Sequence, residues 1–296
     1  MTATCLFAHY DPVPTIAPQT QHLLRQIVEC GYRVHVALSG HDDALLDVAK
    51  RMFPGLPITF HLRPNAGLDF GAWQDLIAKG VTEGATEILL ANDSVFGPLT
   101  PLPPLVRRMR ARNTDVWGMV ASRAVVDHIQ SWFIAFSAES FAHPAVRRIF
   151  EQPFADMTKE EIVLHGELGL GLALKAAGLR VQAAWEPKRG LAKLLATNPM
   201  HTDWRAVLKS GRVPFIKTEL LRDNPSGMPD TRDWRKLIPD PAFFNPAWID
   251  AYLASHPPRP GVRHATWRGR LVQAVAAEDR WSSLARFAAA SLRTRS

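Results

Sequence analysis

The chain has 296 residues, 47% hydrophobic and 21% charged, a composition that excludes wholesale disorder and suits one large globular domain with an appendage. Its two cysteines exclude a disulfide scaffold and favour a reducing cytoplasm. No apolar run approaches about 18 residues and the N-terminus has no basic segment, so we expect neither a membrane-spanning helix nor a secretory signal.

Most of the net charge of +7 lies at the C-terminal end. Residues 259–296 hold eight arginines against two acidic residues, a net charge of +6, and the rest of the chain carries the remaining +1. A basic tail can meet nucleic acid, anionic lipid or an acidic partner. The main body lacks a general basic footprint, so we expect no nucleic-acid partner, whose binding would weaken steeply with salt.

The first half of the chain predicts short apolar strands that alternate with helices. The predicted strands span residues 5–9, 32–38, 58–62 and 87–91, and the predicted helices span 19–30, 42–53 and 71–79. Such alternation is typical of βαβ units and a parallel sheet. Right-handed crossovers then bring the loops 9–11, 63–73 and 92–99 to one sheet edge, where folds of this kind bind ligands.

The second half continues the pattern and then loses it. The sequence predicts helices at 105–112, 141–150 and 160–177 and strands at 115–121, 129–136 and 180–185. Beyond them lie a Pro-rich linker at 257–260 and an amphipathic helix at 267–292. We therefore predict an α/β fold with a mostly parallel central sheet flanked by helices over residues 1–240. A linker and basic helical tail follow over 241–296.

The segment Asn65–Trp73 is the densest in groups that suit a ligand. Gly67 and Gly71 permit close backbone approach or positive φ, and a helix that begins at Gly71 would point free N–H groups at a diphosphate. Asp69 could accept hydrogen bonds from ribose or sugar hydroxyls. The alternative is an Asx-type turn with a helix cap and a buried Trp73.

A carboxylate follows the fourth predicted strand in Asn92-Asp93-Ser94. Asp93 at a strand end is well placed to hold Mg²⁺ or Mn²⁺ between the protein and a diphosphate, although one carboxylate gives only one hard ligand. A simple turn is the alternative interpretation.

Four further side chains each allow a functional and a structural interpretation. Glu167 could be a general base at a cleft, or could compensate the dipole at a helix start. Gln130 and Trp132 suit sugar hydroxyls, or form a strand edge. Lys217 could offset phosphate charge, or be a solvated surface lysine.

These segments together resemble the rhamnan synthesis F family of bacterial polysaccharide glycosyltransferases, over residues 4–225. Asn65–Trp73 and Asn92–Pro98 are the specific motifs. The other matching pieces are His9–Asp11, Asp115–Gly118, Gln130–Phe133, the stretch around Glu167, Asn198–His201 and Pro214–Lys217.

The resemblance implies a GT-A-like fold and a nucleotide-sugar donor. Asn92-Asp93-Ser94 resembles the strand-end DxD motif that binds metal and diphosphate, from which it departs at both outer positions. Glu167 resembles the acidic residue that heads a helix in inverting enzymes and acts as base on the acceptor hydroxyl. Leu168 stands where an Asp often follows.

The resemblance also implies roles for the remaining positions, with Glu167 and Asp93 as the catalytic pair. The expected donor-binding residues are His9, Tyr10, Asp11, Asn65, Gly67, Asp69, Gly71, Asn92, Ser94, His201 and Lys217. The expected acceptor-binding residues are Gln130, Trp132 and His165.

We therefore predict an inverting glycosyltransferase that moves a sugar from a nucleotide-sugar donor, with dTDP-rhamnose as the first donor to test. The acceptor would be a glycan or lipid-linked glycan of a cell-envelope polysaccharide or lipopolysaccharide. The alternative is a non-catalytic sugar- or nucleotide-binding protein on a decayed GT-A fold, favoured by the loss of DxD.

The pattern of apolar and basic residues in the tail predicts contact with the anionic inner face of the cytoplasmic membrane. Arginines surround its apolar positions, so the helix could lie in the interface. The apolar positions are Trp267, Leu271, Val275, Leu284, Phe287 and Leu292, and the arginines are Arg268, Arg270, Arg280, Arg286, Arg293 and Arg295. The alternative is a helix that packs on the globular domain.

Overall fold

The structure is a computed structural model that describes residues 2–188 and 197–293. The chain divides into two compact units, each of which collects separate stretches of sequence. Unit 1 contains Met1–Asp93, Leu102–Met119 and His128–Ala184, and unit 2 contains Ser94–Pro101, Val120–Asp127 and Trp185–Ser296.

Ten strands are present in the described residues. They are β1 (Ala3–His9), β2 (Tyr32–Ser39), β3 (Ile58–Arg63), β4 (Glu87–Asn92), β5 (Val95–Phe96), β6 (Val116–Ser122), β7 (His128–Ile129), β8 (Phe133–Ser137), β9 (Val181–Trp185) and β10 (Ile216–Lys217). Eight of them form one sheet in the order β3-β2-β1-β4-β8-β6-β7, with β9 paired to β6. The short strands β5 and β10 pair separately and antiparallel.

Fourteen α-helical segments are present in the described residues. They are α1 (Pro18–Glu29), α2 (Asp43–Met52), α3 (Leu68–Ala78), α4 (Pro103–Arg110), α5 (Ala138–Ala142), α6 (Pro144–Arg147), α7 (Lys159–Ile162), α8 (Gly169–Ala176), α9 (Pro199–Thr202), α10 (Trp204–Lys209), α11 (Thr218–Arg222), α12 (Ala247–Ser255), α13 (Trp267–Ala276) and α14 (Arg280–Arg293). Among the described helices, none is long and apolar enough to cross a membrane.

The predicted α/β class, with a largely parallel central sheet flanked by helices, is confirmed. β1 runs parallel to β2 and to β4, and β2 runs parallel to β3. The strand order β3-β2-β1-β4 matches the nucleotide-binding half of doubly wound sheets. β8 then pairs antiparallel with β4, which ends the parallel part.

Burial explains why β1 and β4 read as continuous apolar runs. Leu6, Leu89 and Leu90 are fully buried, as expected for strands covered on both faces. Trp73 of α3 is also fully buried, and its indole N–H donates to the Ala91 carbonyl 3.2 Å away. This contact fixes α3 beside the end of β4.

The register of β1 brings two strand ends to one sheet edge. Ala8 of β1 pairs with Asn92 of β4, and His9 pairs with Leu38 of β2. The residues that follow these strands therefore share the carboxyl edge of the sheet, where the loops were predicted to converge.

Helix α3 begins at Leu68, three residues before the predicted start. Gly67 precedes it with φ of 71°, and the Gly71 N–H donates to the Gly67 carbonyl at 2.7 Å. The expectation that free N–H groups at Gly71 face a diphosphate is therefore wrong, because that donor lies inside the helix. Both glycines instead permit close packing, since a Cβ on Gly71 would lie 2.5 Å from the Ala66 carbonyl oxygen.

The predicted helix at 160–177 contains a π-helical turn. It begins at Lys159 behind a capping box of Thr158 and Glu161, and the π turn spans Val163–Leu168 before α8. Glu167 therefore lies in the third turn of a continuous helical segment. The interpretation that it opens a helix is wrong, and dipole compensation at a helix start does not explain it.

Two other predicted elements are interrupted. The predicted helix 141–150 is broken at Pro144 into α5, α6 and a 3₁₀ turn at Arg148–Glu151, because proline cannot continue the preceding helix. The predicted strand 129–136 is divided into β7 and β8, and residues 130–132 form the link between them.

Unit 2 has its own hydrophobic cluster. The boundary predicted at residue 240, between the globular domain and the tail, falls within the residues that form this cluster. The boundary lies inside the unit because apolar residues on both sides of it share this cluster. Its buried members include Phe96, Trp204, Ile216, Leu220, Trp234, Phe244 and Ile249.

The predicted tail helix is split at Ala277 into α13 and α14. The Glu278 N–H donates to the Asp203 carboxylate at 2.6 Å, and Asp279 accepts from the hydroxyls of Ser282 and Ser283. These bonds stop one helix and start the next, so the apolar periodicity does not run through the break.

Candidate functional site

A buried ion pair joins the ends of β1 and β4 in unit 1. His9 is 2% exposed, and its Nδ1 lies 2.5 Å from Oδ2 of Asp93, whose side chain is 20% exposed. The Tyr10 N–H donates to the same oxygen at 3.3 Å. His9 Nε2 lies 3.2 Å from the Thr15 carbonyl oxygen. Because both ring nitrogens face acceptors, the geometry suits a doubly protonated imidazolium.

The pKa of His9 follows from the same contacts. Burial lowers the pKa of His9, but the hydrogen bond to Asp93 and its negative charge raise the pKa by more. The pKa of His9 therefore lies above its ordinary value. The nearby His41 ring, stacked 5.8 Å from His9, has a lowered pKa because of burial and of the His9 charge. The Asp93 carboxylate is therefore held in place by the ring of the buried His9.

A second carboxylate lies at the same strand end. The Asn92 side-chain amide donates to Oδ2 of Asp69 at 2.6 Å, and Asp69 lies in the first turn of α3. The structure therefore brings Asp69, Asn92 and Asp93 to one edge of the unit 1 sheet, as the sequence predicted. Asp69 arrives there on a helix rather than in the expected loop.

Glu167 is held by three described contacts in unit 1. Its Oε2 accepts from the Ser131 N–H at 2.9 Å and from the Ser131 hydroxyl at 2.6 Å. Its Oε1 lies 3.4 Å from Nε2 of the buried His128. The Glu167 side chain remains 24% exposed. A carboxylate can accept about four hydrogen bonds, so this one retains acceptor capacity toward a hydroxyl.

The pKa of Glu167 is lowered in spite of its burial. Burial raises the pKa, but hydrogen bonds and charge from His128 and hydrogen bonds from Ser131 lower it by more. Glu167 is thus ionised at neutral pH. Its position in a π-helical turn is typical of functional sites, where such turns are frequent.

The loop that holds Glu167 also contacts the end of β4. The Asn92 N–H donates to the Trp132 carbonyl at 3.2 Å, and Ser131 is the preceding residue. One short path of bonds therefore links the Asp93 strand end to the Glu167 carboxylate. Both groups belong to unit 1.

Sequence inspection missed two histidines of this region. His128 precedes Glu167 by 39 positions, and no local pattern indicates their contact. His41 could have been found, because it follows the second predicted strand and so lies at the same sheet edge. Its ring centroid lies 6.4 Å from that of Tyr10, which is 51% exposed.

The other predicted donor residues of unit 1 are placed differently. Asp11 is buried, and its Oδ1 accepts from the Val13 N–H at 2.8 Å, which makes it a turn residue. Asn65 is exposed on the loop before α3. Their roles in donor binding stay predictions.

The predicted acceptor residues are not favoured by their placement. Trp132 is 2% exposed, and its indole N–H donates to Oε1 of the buried Gln130 at 3.1 Å. The indole N–H thus has its partner inside the protein. His165 is exposed on the outer side of the π turn. Acceptor binding by these three residues stays a prediction, and Ser131 rather than its neighbours contacts Glu167.

Ser94, His201 and Lys217 lie in unit 2. The Lys217 ammonium donates to the Ser94 hydroxyl at 2.7 Å, and the Thr218 N–H donates to the Ser94 carbonyl at 3.0 Å. His201 is buried, with Nε2 3.6 Å from the Glu219 carboxylate. Lys217 is half-buried and hydrogen-bonded, so the interpretation of a solvated surface lysine does not fit.

The predicted metal site at Asp93 would need further ligands from the protein. Within residues 2–188 and 197–293, no group of three His, Cys, Asp or Glu side chains is arranged to hold a metal ion. Asp93 Oδ2 already contacts the imidazole of His9, whereas Mg²⁺ prefers several oxygen ligands. These residues do not fit a protein-built Mg²⁺ or Mn²⁺ site, and metal dependence stays a prediction that they do not favour.

Replacing His9 with glutamine is expected to remove a pH-dependent part of the stability. The pKa of His9 is raised in the folded state. The contribution of the His9–Asp93 pair to the free energy of unfolding is therefore fully present below about pH 6.5, and it is lost as the pH rises through the raised pKa. We expect His9→Gln to cost about 1.5–3 kcal/mol at pH 6, with a smaller difference at pH 9. Urea unfolding at both pH values measures this. The exposed His165→Gln is the control, and an equal His9→Gln deficit at both pH values would contradict the ion pair.

Comparisons with known proteins give one family match, one named relative and several solved structures of partial likeness. The model of a family described as rhamnan synthesis protein F matches residues 45–230, more than half of the chain. A virulence protein, VirA, of Vibrio anguillarum is 26% identical over 199 residues. That match covers 57% of this chain and 64% of the relative, so it spans less than two thirds of VirA.

Solved structures show partial likeness to the chain. A putative nucleotide-diphospho-sugar transferase of Desulfovibrio desulfuricans is 14% identical, with a TM-score of 0.40, over 71% of this chain and 96% of that one. The glycosyltransferase GlyE of Streptococcus pneumoniae is 10% identical, with a TM-score of 0.43, over 89% of this chain and 64% of that one.

Proposed function

The chain belongs to the rhamnan synthesis protein F family, and from this premise we propose that it is a nucleotide-sugar-dependent glycosyltransferase. It transfers a sugar to a glycan or lipid-linked glycan of a cell-envelope polysaccharide or lipopolysaccharide. The observation that carries this proposal is the partly exposed, ionised Glu167 carboxylate, placed on a π turn and bonded to the loop that contacts the β4 strand end.

The donor binds at the carboxyl edge of the unit 1 sheet. Asp69 and Asp93 lie there as acceptors for ribose or sugar hydroxyls, and His9 fixes the Asp93 carboxylate from below. The exposed Tyr10 ring, beside His41, offers an aromatic face to a nucleobase.

The reaction is a single in-line displacement with inversion at the anomeric carbon. Glu167 takes the proton of the acceptor hydroxyl while the hydroxyl oxygen of the acceptor forms a bond to the anomeric carbon of the donor sugar. The bond from that carbon to the diphosphate oxygen breaks, and the nucleoside diphosphate leaves with the electron pair. Because the acceptor hydroxyl attacks the anomeric carbon directly, the reaction needs no covalent intermediate with a protein nucleophile.

The family supports a deoxyhexose donor, and we propose dTDP-rhamnose as the sugar nucleotide. The name of the family refers to the synthesis of a rhamnose polymer. Rhamnose lacks the hydroxyl at C6 that glucose or mannose carries, so a donor site that accepts it has no need of a polar partner at that position.

A non-catalytic sugar- or nucleotide-binding protein is the second candidate. Two observations favour it: hydrogen bonds to both Glu167 oxygens lower its pKa, and Asp93 is paired with His9. Carboxylates bonded in this way suit a structural role, and a base with a lowered pKa has less driving force for proton transfer.

A thermal-shift panel tests the donor class. We expect dTDP-rhamnose to raise the Tm of the full-length protein more than dTDP-glucose, UDP-glucose or GDP-mannose, because a ligand that binds the folded state stabilises it by mass action. dTDP alone is the control for nucleotide binding without the sugar. Equal shifts from all four sugar nucleotides would contradict rhamnose selection, and no shift from any of them would contradict donor binding.

A further inference from the structure

We propose that helix α14 attaches the protein to an anionic membrane surface through an exposed apolar stripe. The stripe consists of Trp281, Ala285, Ala288 and Leu292. These four residues follow the spacing i, i+4, i+7 and i+11, which places them on one face of the helix. All four are exposed, with Trp281 at 80% and Leu292 at 73% of their maximum.

The orientation of α14 is fixed by contacts on its other faces. Ser283 is buried, and its hydroxyl donates to Asp279 at 2.8 Å. The Arg286 guanidinium lies 2.6 Å from the Asp230 carboxylate and donates to Asp279 at 2.7 Å. The helix therefore packs on unit 2 by one side and leaves the stripe outward.

This stripe differs from the apolar face that the sequence predicted. Of the predicted positions, Leu271, Val275, Leu284 and Phe287 are half-buried, which fits the alternative of packing on the protein. Leu292 is the one predicted position that belongs to the stripe. The break at Ala277 changed the helical phase, so the two helices do not share one face.

Trp267 at the start of α13 is a second exposed tryptophan of the tail. The Arg268 guanidinium lies 5.5 Å from the centre of its ring. Indole rings beside basic side chains are characteristic of membrane–water interfaces.

The exposed positive charge of the tail favours anionic lipid. Both acidic residues of the tail are engaged within unit 2, Glu278 with Lys188 at 3.2 Å and Asp279 with Arg286. Arg268, Arg270 and Arg280 are exposed to solvent. Arg295 and the side chain of Arg293 lie outside the described part of the chain. Each exposed arginine near an anionic surface adds to the attraction.

A second copy of the chain fits the stripe less well than lipid does. A stable dimer buries about 800 Å² on each partner, whereas the stripe offers one tryptophan, one leucine and two alanines. Self-association would also bring the exposed arginines of two copies together, which costs free energy. A 14-residue amphipathic helix with an outward tryptophan instead suits shallow insertion into an interface.

Cosedimentation of the full-length protein with vesicles tests the proposal. We expect binding to vesicles of three parts phosphatidylcholine to one part phosphatidylglycerol, with much weaker binding to pure phosphatidylcholine. Trp281→Glu should lower the partition coefficient about tenfold or more, and Arg280→Gln about fivefold. Leu172→Glu, at a 53% exposed leucine of α8 in unit 1, is the matched control and should bind like the wild type.

Unfolding and oligomeric state complete the test. Because Trp281 is exposed, Trp281→Glu should keep the wild-type Tm, so lost binding reports the surface rather than misfolding. Absence of wild-type sedimentation with the anionic vesicles, or unchanged binding by Trp281→Glu, would overturn the proposal. So would a wild-type dimer that Trp281→Glu dissociates without any vesicle binding, because the stripe would then cover a second copy. No outcome depends on transfer activity.

Discussion

Changing Glu167 to glutamine is expected to reduce turnover by about 10²–10⁴-fold while donor affinity stays near that of the wild type. The amide keeps the shape of the side chain and one oxygen that can accept from Ser131. It cannot take the proton of the acceptor hydroxyl at neutral pH. Steady-state kinetics and calorimetric titration with the donor measure the two effects separately.

The matched control is Glu161→Gln on the same helical segment. Glu161 accepts from the Thr158 N–H and hydroxyl in the capping box, and glutamine keeps an oxygen for these bonds. Glu161→Gln should therefore lower the Tm only slightly, through loss of a negative charge in the first helical turn, and leave turnover unchanged. If Glu167→Gln behaved in the same way, with a lower Tm and intact turnover, Glu167 would be a structural carboxylate and the proposed base would be wrong.

Removal of the Asp93 carboxylate is expected to abolish transfer and to weaken nucleotide binding. Asp93→Ala also leaves the buried imidazole of His9 without its partner, which costs about 1.5–3 kcal/mol of stability. Asp93→Asn keeps an oxygen acceptor and the shape of the side chain, and therefore separates loss of charge from loss of fold. Donor affinity, turnover and urea unfolding are measured for both variants.

Asp42→Ala is the control for stability loss without loss of function. Asp42 caps helix α2 by accepting from the Leu45 N–H at 3.1 Å, so its removal should cost about 1 kcal/mol. We expect Asp42→Ala to bind donor and turn over like the wild type at a temperature where both are folded. Wild-type kinetics in Asp93→Ala, which removes the acceptor oxygens altogether, would remove Asp93 from the mechanism.

The sequence predicted the part of the fold that local patterns determine. Buried parallel strands are continuous apolar runs, and their alternation with helices implies that the strand ends share one edge. The proximity of Asp69 to the Asn92-Asp93 strand end followed from this reasoning and is confirmed by the bond between Asp69 and Asn92. The resemblance to the family added Glu167 as a candidate.

Two kinds of feature could not be predicted from the sequence. One is contact between residues that are far apart along the chain, and the other is a local change in helix geometry. The π turn at Val163–Leu168 lies inside a helical segment that begins at Lys159, and no local pattern in the sequence predicted it. The pairing of His128 with Glu167 depends on where β7 lies, which no local pattern indicates. Trp132 was expected at a surface because residue type alone does not distinguish a sugar contact from core packing.

The division of the tail into two helices could not be predicted either. Its apolar residues suggested one helix, but polar bonds to Asp203 and Asp279 divide the segment and re-orient the second helix. Whether a polar residue ends a helix depends on its tertiary partner. Asp203, the acceptor for Glu278, is itself buried, and burial raises its pKa to about 6.

The stereochemistry of sugar transfer distinguishes direct displacement with Glu167 as base from the other possibilities. Proton NMR follows dTDP-rhamnose in the presence of the wild-type protein, with water or a rhamnose-containing oligosaccharide as acceptor. We expect loss of the donor anomeric signal, release of dTDP, and a first product with the opposite anomeric configuration. Retention of configuration would contradict displacement with Glu167 as base. A donor that binds but is never consumed, with any acceptor tested, would show a binding protein rather than an enzyme.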